Sequence, residues 1–293
     1  SFATDRLLPR VISDYRDETF DPSLLLEMGE LGLLGPTIPA EYGGAGVSHV
    51  AYGLAAREFE RVDSGYRSCM SVQSSLVMHP IYAYGTEDQR KKFLPRLATG
   101  EMVGCFGLTE LGCGNNAVEM QTTATYDSAT EEFIIHTPDV KARKYWITNG
   151  AVHAHYVIVF ARLINKETDE GIHGFLVPIR DQEMKVLPGV TVWDMGYKIG
   201  VNGIDNASIG FDQVRIPRAY MLDSTSTMSK EGVFQSQVKS KRGRFLTLAD
   251  QLLSGRLCIA SMTLVHHFNF VDAIITNLSD RLGGFCIFYI TTT

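Results

Sequence analysis

The chain has 293 residues, enough for two or three packed units. It is 45% hydrophobic and 20% charged, the balance of a globular protein, and a net charge of -6 leaves no global basic field to hold nucleic acid or an anionic membrane. No apolar run approaches the ~18 residues that a membrane-spanning helix needs.

Residues 1–102 read as helical. Asp21-Pro22-Ser23 marks a helix start with proline in the first turn, and LLLEMGELG runs on to a glycine stop. TIPAEYGGAG is loop by its Gly and Pro content. Helical stretches follow at about 48–62 and 64–83. Thr86-Glu87-Asp88-Gln89 then forms a capping box, in which Thr86 and Gln89 satisfy each other's free amides, and Gly100 closes the helix.

Between 103 and 222 the period changes to two. EMQTTATYD, EFIIHT, KYWIT, YVIVFARL, HGFLVPI, VTVWD and ASIGFDQVRI are short, rich in β-branched and aromatic residues, and separated by turns. They predict a sheet-on-sheet or barrel domain. Residues 223–293 read as a linker followed by the start of another helical unit. The linker, STSTMSKEGVFQSQVKSKRGR, is polar and expected to be a mobile connection. Its Lys239, Lys241, Arg242 and Arg244 suit a solvated basic loop better than a phosphate site.

One segment invites a nucleotide reading. In CFGLTELGCGNN and the next residue, Gly112, Gly114 and Ala117 match G-x-G-x-x-A. A dinucleotide turn must open a helix, because the pyrophosphate rests on that helix's N-terminus. Here the glycines lead into strand-like sequence with no βαβ alternation, so the spacing is a coincidence. Cys69, Cys105, Cys113, Cys258 and Cys286 are scattered, which fits reduced thiols. His266 and His267 have no third ligand at a suitable spacing, and no metal is expected.

Residues 105–116, taken with Lys144-Tyr145-Trp146-Ile147-Thr148-Asn149-Gly150, resemble the flavin-dependent acyl-CoA dehydrogenase and oxidase family. Its hallmarks are T-E-P-x-x-G-S-D and, further on, K-x-W-I-T-N. The resemblance implies an α+β fold with an N-terminal helical domain (1–102), a central β-barrel or sandwich domain (103–222), and a C-terminal helical domain that is incomplete here. EMGELGLLGPTI, AREFERVDSGYRS and MSVQSSLVMHPIYAYG resemble glutaryl-CoA dehydrogenases. TELG, TTATYDSATEEFIIHTP, VPIRD, LPGV and GVNGIDNASIGFDQVRIPR are similar to acyl-CoA oxidases.

That family removes a proton beside the thioester and passes hydride from the next carbon to flavin N5. The resemblance therefore implies FAD and an acyl-CoA substrate, most like the glutaryl type, which decarboxylates to crotonyl-CoA. The alternatives are an acyl-CoA oxidase or a catalytically silent flavin-binding or scaffold subunit. Charge develops on the flavin edge on reduction, which calls for hydrogen-bond donors there. The resemblance places Phe106, Gly107, Leu108, Thr109, Glu110, Gly114, Asn115, Trp146, Ile147 and Thr148 at the cofactor. It adds Arg281, in a degraded RLGGF motif that reaches a neighbouring subunit's flavin. Read alone, Trp146 is equally a sheet-core residue and Thr109 a cap or strand residue.

On the substrate side, the resemblance gives Arg67 and Ser68 to a distal carboxylate, with Glu60 as an auxiliary to decarboxylation. An arginine fork suits such a group. A helix spanning Glu60 and Arg67 would put them on one side, as in a plain surface charge pair. Asn115 and Arg256 fall near the CoA portion by resemblance, and Arg256 alone reads equally as a surface charge. Asn115-Asn116 replaces the family's Ser-Asp, and Leu111 its proline. The family's glutamate base is usually borne beyond the region where this sequence stops at Thr293, and Gly255 stands at the position used by a minority branch. No residue is therefore assigned as the base. The family further implies a homotetramer, electron-transfer flavoprotein as acceptor if a dehydrogenase, and the mitochondrial matrix or, alternatively, the peroxisome.

Overall fold

A computed structural model describes residues 1–222 and 224–249, with isolated positions beyond them up to 264. The first hundred residues are helical: a π-helical turn at Ala3–Leu7, then α1 (Val11–Asp17), α2 (Ser23–Glu30), α3 (His49–Glu60), α4 (Ser64–Ser71), a π-helical stretch at Val72–Met78, α5 (His79–Tyr84) and α6 (Glu87–Ala98). Pro22 precedes α2, where a missing N–H is harmless, and Asp21 Oδ1 accepts the Ser23 N–H at 2.9 Å. Residues 64–83, expected as one helix, wind as α, π and α in turn. Gln73, in the π stretch, explains what that region does. Its Nε2 donates to the Leu97 and Met102 carbonyls at 2.9 and 2.8 Å, and its Oε1 accepts the Gly104 N–H at 2.9 Å. One buried amide thus bolts the helices to the first strand.

The capping box forms as expected, with Thr86 N–H donating to Gln89 Oε1 at 2.9 Å and Gln89 N–H donating to Thr86 Oγ1 at 3.2 Å. The Gln89 Nε2 donates onward to the Ala219 and Met221 carbonyls, so the cap also ties α6 to the end of the β region. Gly100 takes φ +76°, and a Cβ there would lie 2.5 Å from the Leu25 carbonyl oxygen. Only glycine fits.

Nine strands follow: β1 (Gly104–Gly107), β2 (Thr123–Asp127), β3 (Glu132–His136), β4 (Lys144–Thr148), β5 (Tyr156–Asn165), β6 (Thr168–Pro178), β7 (Val190–Asp194), β8 (Asn206–Phe211) and β9 (Val214–Pro217). β5 organises the larger sheet. It pairs antiparallel with β6 along one edge; along the other it pairs in parallel with β1 and then β2, and the sheet continues through β3 to β9. β4, β8 and β7 form a second, antiparallel sheet. Phe133, Phe175 and Val177 from the first sheet share a core with Ile147, Ala207, Ile209 and Phe211 from the second. The other face of β5 and β6, at Ile158, Phe160, Ile172 and Leu176, packs on Phe93, Leu94 and Leu97 of α6. After Gly114 there is only a single 3-10 turn at Ala117–Glu119, so no helix exists for a pyrophosphate to cap.

The basic linker differs from its expectation. It folds into a hairpin of β10 (Ser226–Met228) and β11 (Phe234–Ser236), followed by α7 (Lys241–Ala249). The reason is burial: Ser226 and Met228 are enclosed, and Phe234 packs edge-on against the His173 ring at 5.4 Å. Arg244 is held too, its guanidinium over the Phe234 ring and its NH1 donating to the Glu170 carbonyl at 2.6 Å. Cys69 and Cys105 are buried free thiols and Cys113 is partly exposed, while Cys258, Cys286, His266 and His267 lie outside the described residues. Among the described residues no cluster has the ligands of a metal site, and no helix is long and apolar enough to cross a membrane.

His173 makes acid stability a test of this packing. Burial pulls its imidazole down to about 4, while its Nδ1 meets the Gly171 carbonyl and its Nε2 has no partner. The unfolded chain takes up that proton near pH 6.5, whereas the folded chain refuses it until about pH 4. Stability from this group is therefore whole above pH 6.5 and lost as pH falls to 4, by about 3 kcal/mol at most. Chemical unfolding at pH 7 and pH 4 should show that much less acid loss in His173→Gln than in the parent; equal losses would refute the assignment.

Candidate functional site

The two sequence motifs end up side by side. Leu108 to Gly112 runs along residues 141–145, with Tyr145 N–H donating to the Thr109 carbonyl at 2.9 Å, Leu111 N–H to Arg143 at 2.9 Å and Gly112 N–H to Lys141 at 2.7 Å. Residues 29 to 36 positions apart thus share one edge. β4 then breaks register with β8 between Tyr145 and Ile147, so that Trp146 is an extra residue, a bulge. It has φ +65° and is 48% exposed. A bulky aromatic in the left-handed region is strained by about 1–3 kcal/mol, which persists only where surrounding structure enforces it. Trp146 is therefore not the sheet-core residue of the plain reading.

On either side of the bulge the strand keeps its alternation. Ile147 turns into the core, whereas Thr148 is half-buried and its Oγ1 donates to Asn206 Oδ1 at 2.7 Å. Thr109 is exposed, Phe106 and Leu108 half-buried, and Gly107 buried. Gly114 and Asn115 lie exposed on the loop that follows. The outcome is an open face presenting an aromatic ring, two threonine hydroxyls and backbone amides.

Glu110 departs from its expected place. Its side chain is 2% exposed and points under this face, so it offers nothing to a ligand lying on it. Its partner is Lys144, which is fully buried: Nζ donates to the Phe160 carbonyl at 2.7 Å, to Glu110 Oε1 at 3.0 Å and to the Leu108 carbonyl at 3.2 Å. Glu110 also accepts the Gln121 and Thr122 N–H groups at 2.7 and 2.9 Å. Burial pulls the Lys144 ammonium down to about 8 against the pull of Glu110. For Glu110, burial pushes upward, but Lys144 and the two amides outweigh it and hold the carboxyl below its usual range.

Glu60 and Arg67 are also not on one helix. Glu60 ends α3 and Arg67 sits in α4, with a break at which Asp63 Oδ1 accepts the Gly65 N–H at 2.6 Å. Arg67 Nε donates to Glu60 Oε2 at 2.5 Å, and Ser64 Oγ to Glu60 Oε1. With side-chain exposures of 17% and 10%, this is a largely enclosed pair, not a surface one, and Arg67 already has its countercharge. Ser68 follows it, half-buried. Arg256 is exposed, while Arg281 and Gly255 lie outside the described residues.

Sequence reading passed over three features. Lys144 stood inside the motif but was given no role, and nothing in its spacing marks it as buried. Arg180, buried in the first sheet's rim, donates to the Ala154, Gly150 and Ala151 carbonyls and so holds the loop that follows Thr148. Lys241 and Arg242, expected to be solvated, are indeed exposed, and they also line the edge of a cavity of about 250 Å³. That cavity shares Val118, Arg162 and Asp169 with a second, of about 480 Å³, beside Gly112 and Cys113. Neither Lys241 nor Arg242 makes a direct salt bridge among the described residues, although the Lys241 charge helps hold the Asp169 carboxyl below its usual range. A larger cavity, about 660 Å³ between Phe20, Leu25 and His155, shares no residue with the paired motifs.

A family model described as "Acyl-CoA dehydrogenase, N-terminal domain" matches residues 1–101, and one described as "Acyl-CoA dehydrogenase, middle domain" matches residues 105–214. The chain is 41% identical over 181 residues to "Acyl-coenzyme A oxidase 3, peroxisomal" of Arabidopsis thaliana, an overlap covering 62% of this chain and 27% of that one. It thus spans little over a quarter of that relative's length. The crystal structure of acyl-CoA oxidase 1 from Yarrowia lipolytica superimposes with a TM-score of 0.71 at 29% identity, covering 86% of this chain and 36% of that one. A glutaryl-CoA dehydrogenase from Mycobacterium smegmatis, in complex with FADH2, does so with 0.69 at 30% identity, covering 95% of this chain and 73% of that one.

Proposed function

Because the chain belongs to the acyl-CoA dehydrogenase family, we propose that it carries the flavin-binding part of an FAD-dependent enzyme that desaturates acyl-CoA thioesters, on the oxidase branch. The observation that carries this is the strained, exposed Trp146 beside Thr109 and Thr148. An exposed aromatic ring held out on a bulge and flanked by two threonines and free amides suits a flat, hydrogen-bonding ring system. Bound there, FAD would supply the hydride acceptor. Trp146 packs on the ring, while the Thr109 hydroxyl and the backbone at Leu108–Thr109 provide donors where charge develops, and Thr148, whose proton is held by Asn206 Oδ1, presents its oxygen.

The thioester's nucleotide end is assigned to the two joined cavities that run from Gly112 and Cys113 to Lys241 and Arg242. Lys241 and Arg242 there offer cations to phosphate, with Arg256 further along the chain. The oxidase branch is favoured over the glutaryl type by the Arabidopsis relative, and by Arg67 being neutralised by Glu60 before any ligand arrives. Its name also favours the peroxisome over the mitochondrial matrix. Oxygen is then the electron acceptor, and an electron-transfer flavoprotein is not required.

Titrating the chain with FAD tests the reading. Trp146→Ala and Thr148→Ala should each weaken binding by about tenfold, the worth of one good contact. Unchanged affinity in both would sink the flavin site. Dicarboxylic and monocarboxylic acyl-CoA of equal length should bind alike, and a preference above about tenfold for the dicarboxylic one, lost in Arg67→Ala, would restore the glutaryl reading.

A further inference from the structure

A fully buried ammonium is costly unless each of its protons is met. Lys144 meets three oxygen acceptors on two segments: the Phe160 carbonyl in β5, and the Glu110 carboxylate and Leu108 carbonyl on the loop after β1. The bond to Leu108 has a directional consequence. A peptide unit is planar and trans, so a carbonyl and the next residue's N–H point opposite ways. With the Leu108 carbonyl drawn to the buried ammonium at 3.2 Å, the Thr109 N–H is turned away from it. The Thr109 carbonyl is fixed as well, by the Tyr145 N–H at 2.9 Å. Thr109 is thus clamped through the carbonyls before and after its amide, while the amide itself, on an exposed residue, has no acceptor among the described residues.

We propose that Lys144, seated on Glu110, is a positioning residue that aims the Thr109 N–H at the bound cofactor and so helps set that cofactor's reduction potential. This rests on the flavin reading above. A donor held rigid before the charge develops stabilises that charge more than one that must first be oriented. The double variant Lys144→Met/Glu110→Gln removes both charges together, retains an acceptor oxygen for one of the Gln121 and Thr122 amides, and keeps the volume filled. A buried ion pair replaced in this way is often tolerated.

Leucine labelled at its carbonyl carbon together with ¹⁵N-threonine leaves two linked pairs in this sequence, Leu108–Thr109 and Leu246–Thr247. In the flavin-free double variant the first cross-peak should shift and the second should stay. On FAD titration the variant's dissociation constant should rise about tenfold, the worth of one lost hydrogen bond to a developing charge, and the bound flavin's midpoint potential should fall. A merely structural staple would lower the melting temperature without moving the potential of the flavin that still binds. An unmoved Leu108–Thr109 cross-peak, or a moved one with parental FAD affinity and potential, overturns the proposal. If the parent itself takes up no FAD, the flavin reading has failed and the positioning role falls with it; a shifted Leu108–Thr109 peak would then show only that Lys144 sets this peptide. The two failures are thus told apart.

Discussion

Glu110→Ala is expected to destabilise the folded chain by about 3–5 kcal/mol, as breaking one side of a buried ion pair does. Three groups lose their partner at once. The Lys144 ammonium keeps its carbonyls but loses its countercharge, and the Gln121 and Thr122 amides are left without an acceptor. Each unsatisfied buried amide alone costs about 1–3 kcal/mol. Part of the loss is recovered because Lys144 can release its proton, its affinity for which burial has already weakened. Urea unfolding at constant slope gives the measurement. A loss below about 1 kcal/mol would mean that water reaches the pair, since exposed pairs contribute no more than that.

The second large effect is expected at Arg180, where methionine in its place should cost about 4 kcal/mol, the sum of several charged hydrogen bonds less what water returns. Arg180 has no carboxylate partner among its hydrogen bonds. Its guanidinium donates at 2.7 Å to Ala154, 2.5 Å to Ala151 and 3.0 Å to Gly150, and burial lowers its proton affinity. A planar fork of five donors suits the gathering of three carbonyls spread along a single turn. Methionine fills the space but satisfies none. Urea unfolding should be accompanied by faster amide exchange across 150–154 than across β5, because the turn loosens before the sheet opens. An exchange pattern unchanged at that turn would show that the turn holds itself.

The fold was readable wherever a local rule decided the outcome. Thr86 and Gln89 announced a helix start because a capping box is complete within four residues. The alternation of EFIIH and VTVWD announced strands because one face of each is buried. Where the deciding partner is distant, the sequence was silent. Nothing near Phe234 tells that His173 waits for it, so the hairpin read as a loose linker. The break between Glu60 and Arg67 was legible, since the stretches 48–62 and 64–83 part at Asp63, but that the two side chains meet across it as an enclosed pair was not. At the site, the two motifs were legible by resemblance. That Glu110 faces inward and Trp146 outward was not, since the first follows from the distant partners Lys144, Gln121 and Thr122, and the second from a register shift between β4 and β8 that only pairing can reveal.

That shift has a genetic corollary. Because the side chains of a strand alternate, a one-residue change normally turns every later residue inside out. Here the surplus residue is already absorbed, with Lys144 and Ile147 both facing inward across it. Loss of the single codon for Trp146 would leave a regular ladder with the same inward and outward faces and one strained residue fewer. Such a lineage would gain a sounder sheet and lose its aromatic platform in one step, with no sign of damage in its folding. Selection on stability alone would favour the deletion; only selection on what lies against that ring can keep the tryptophan in place.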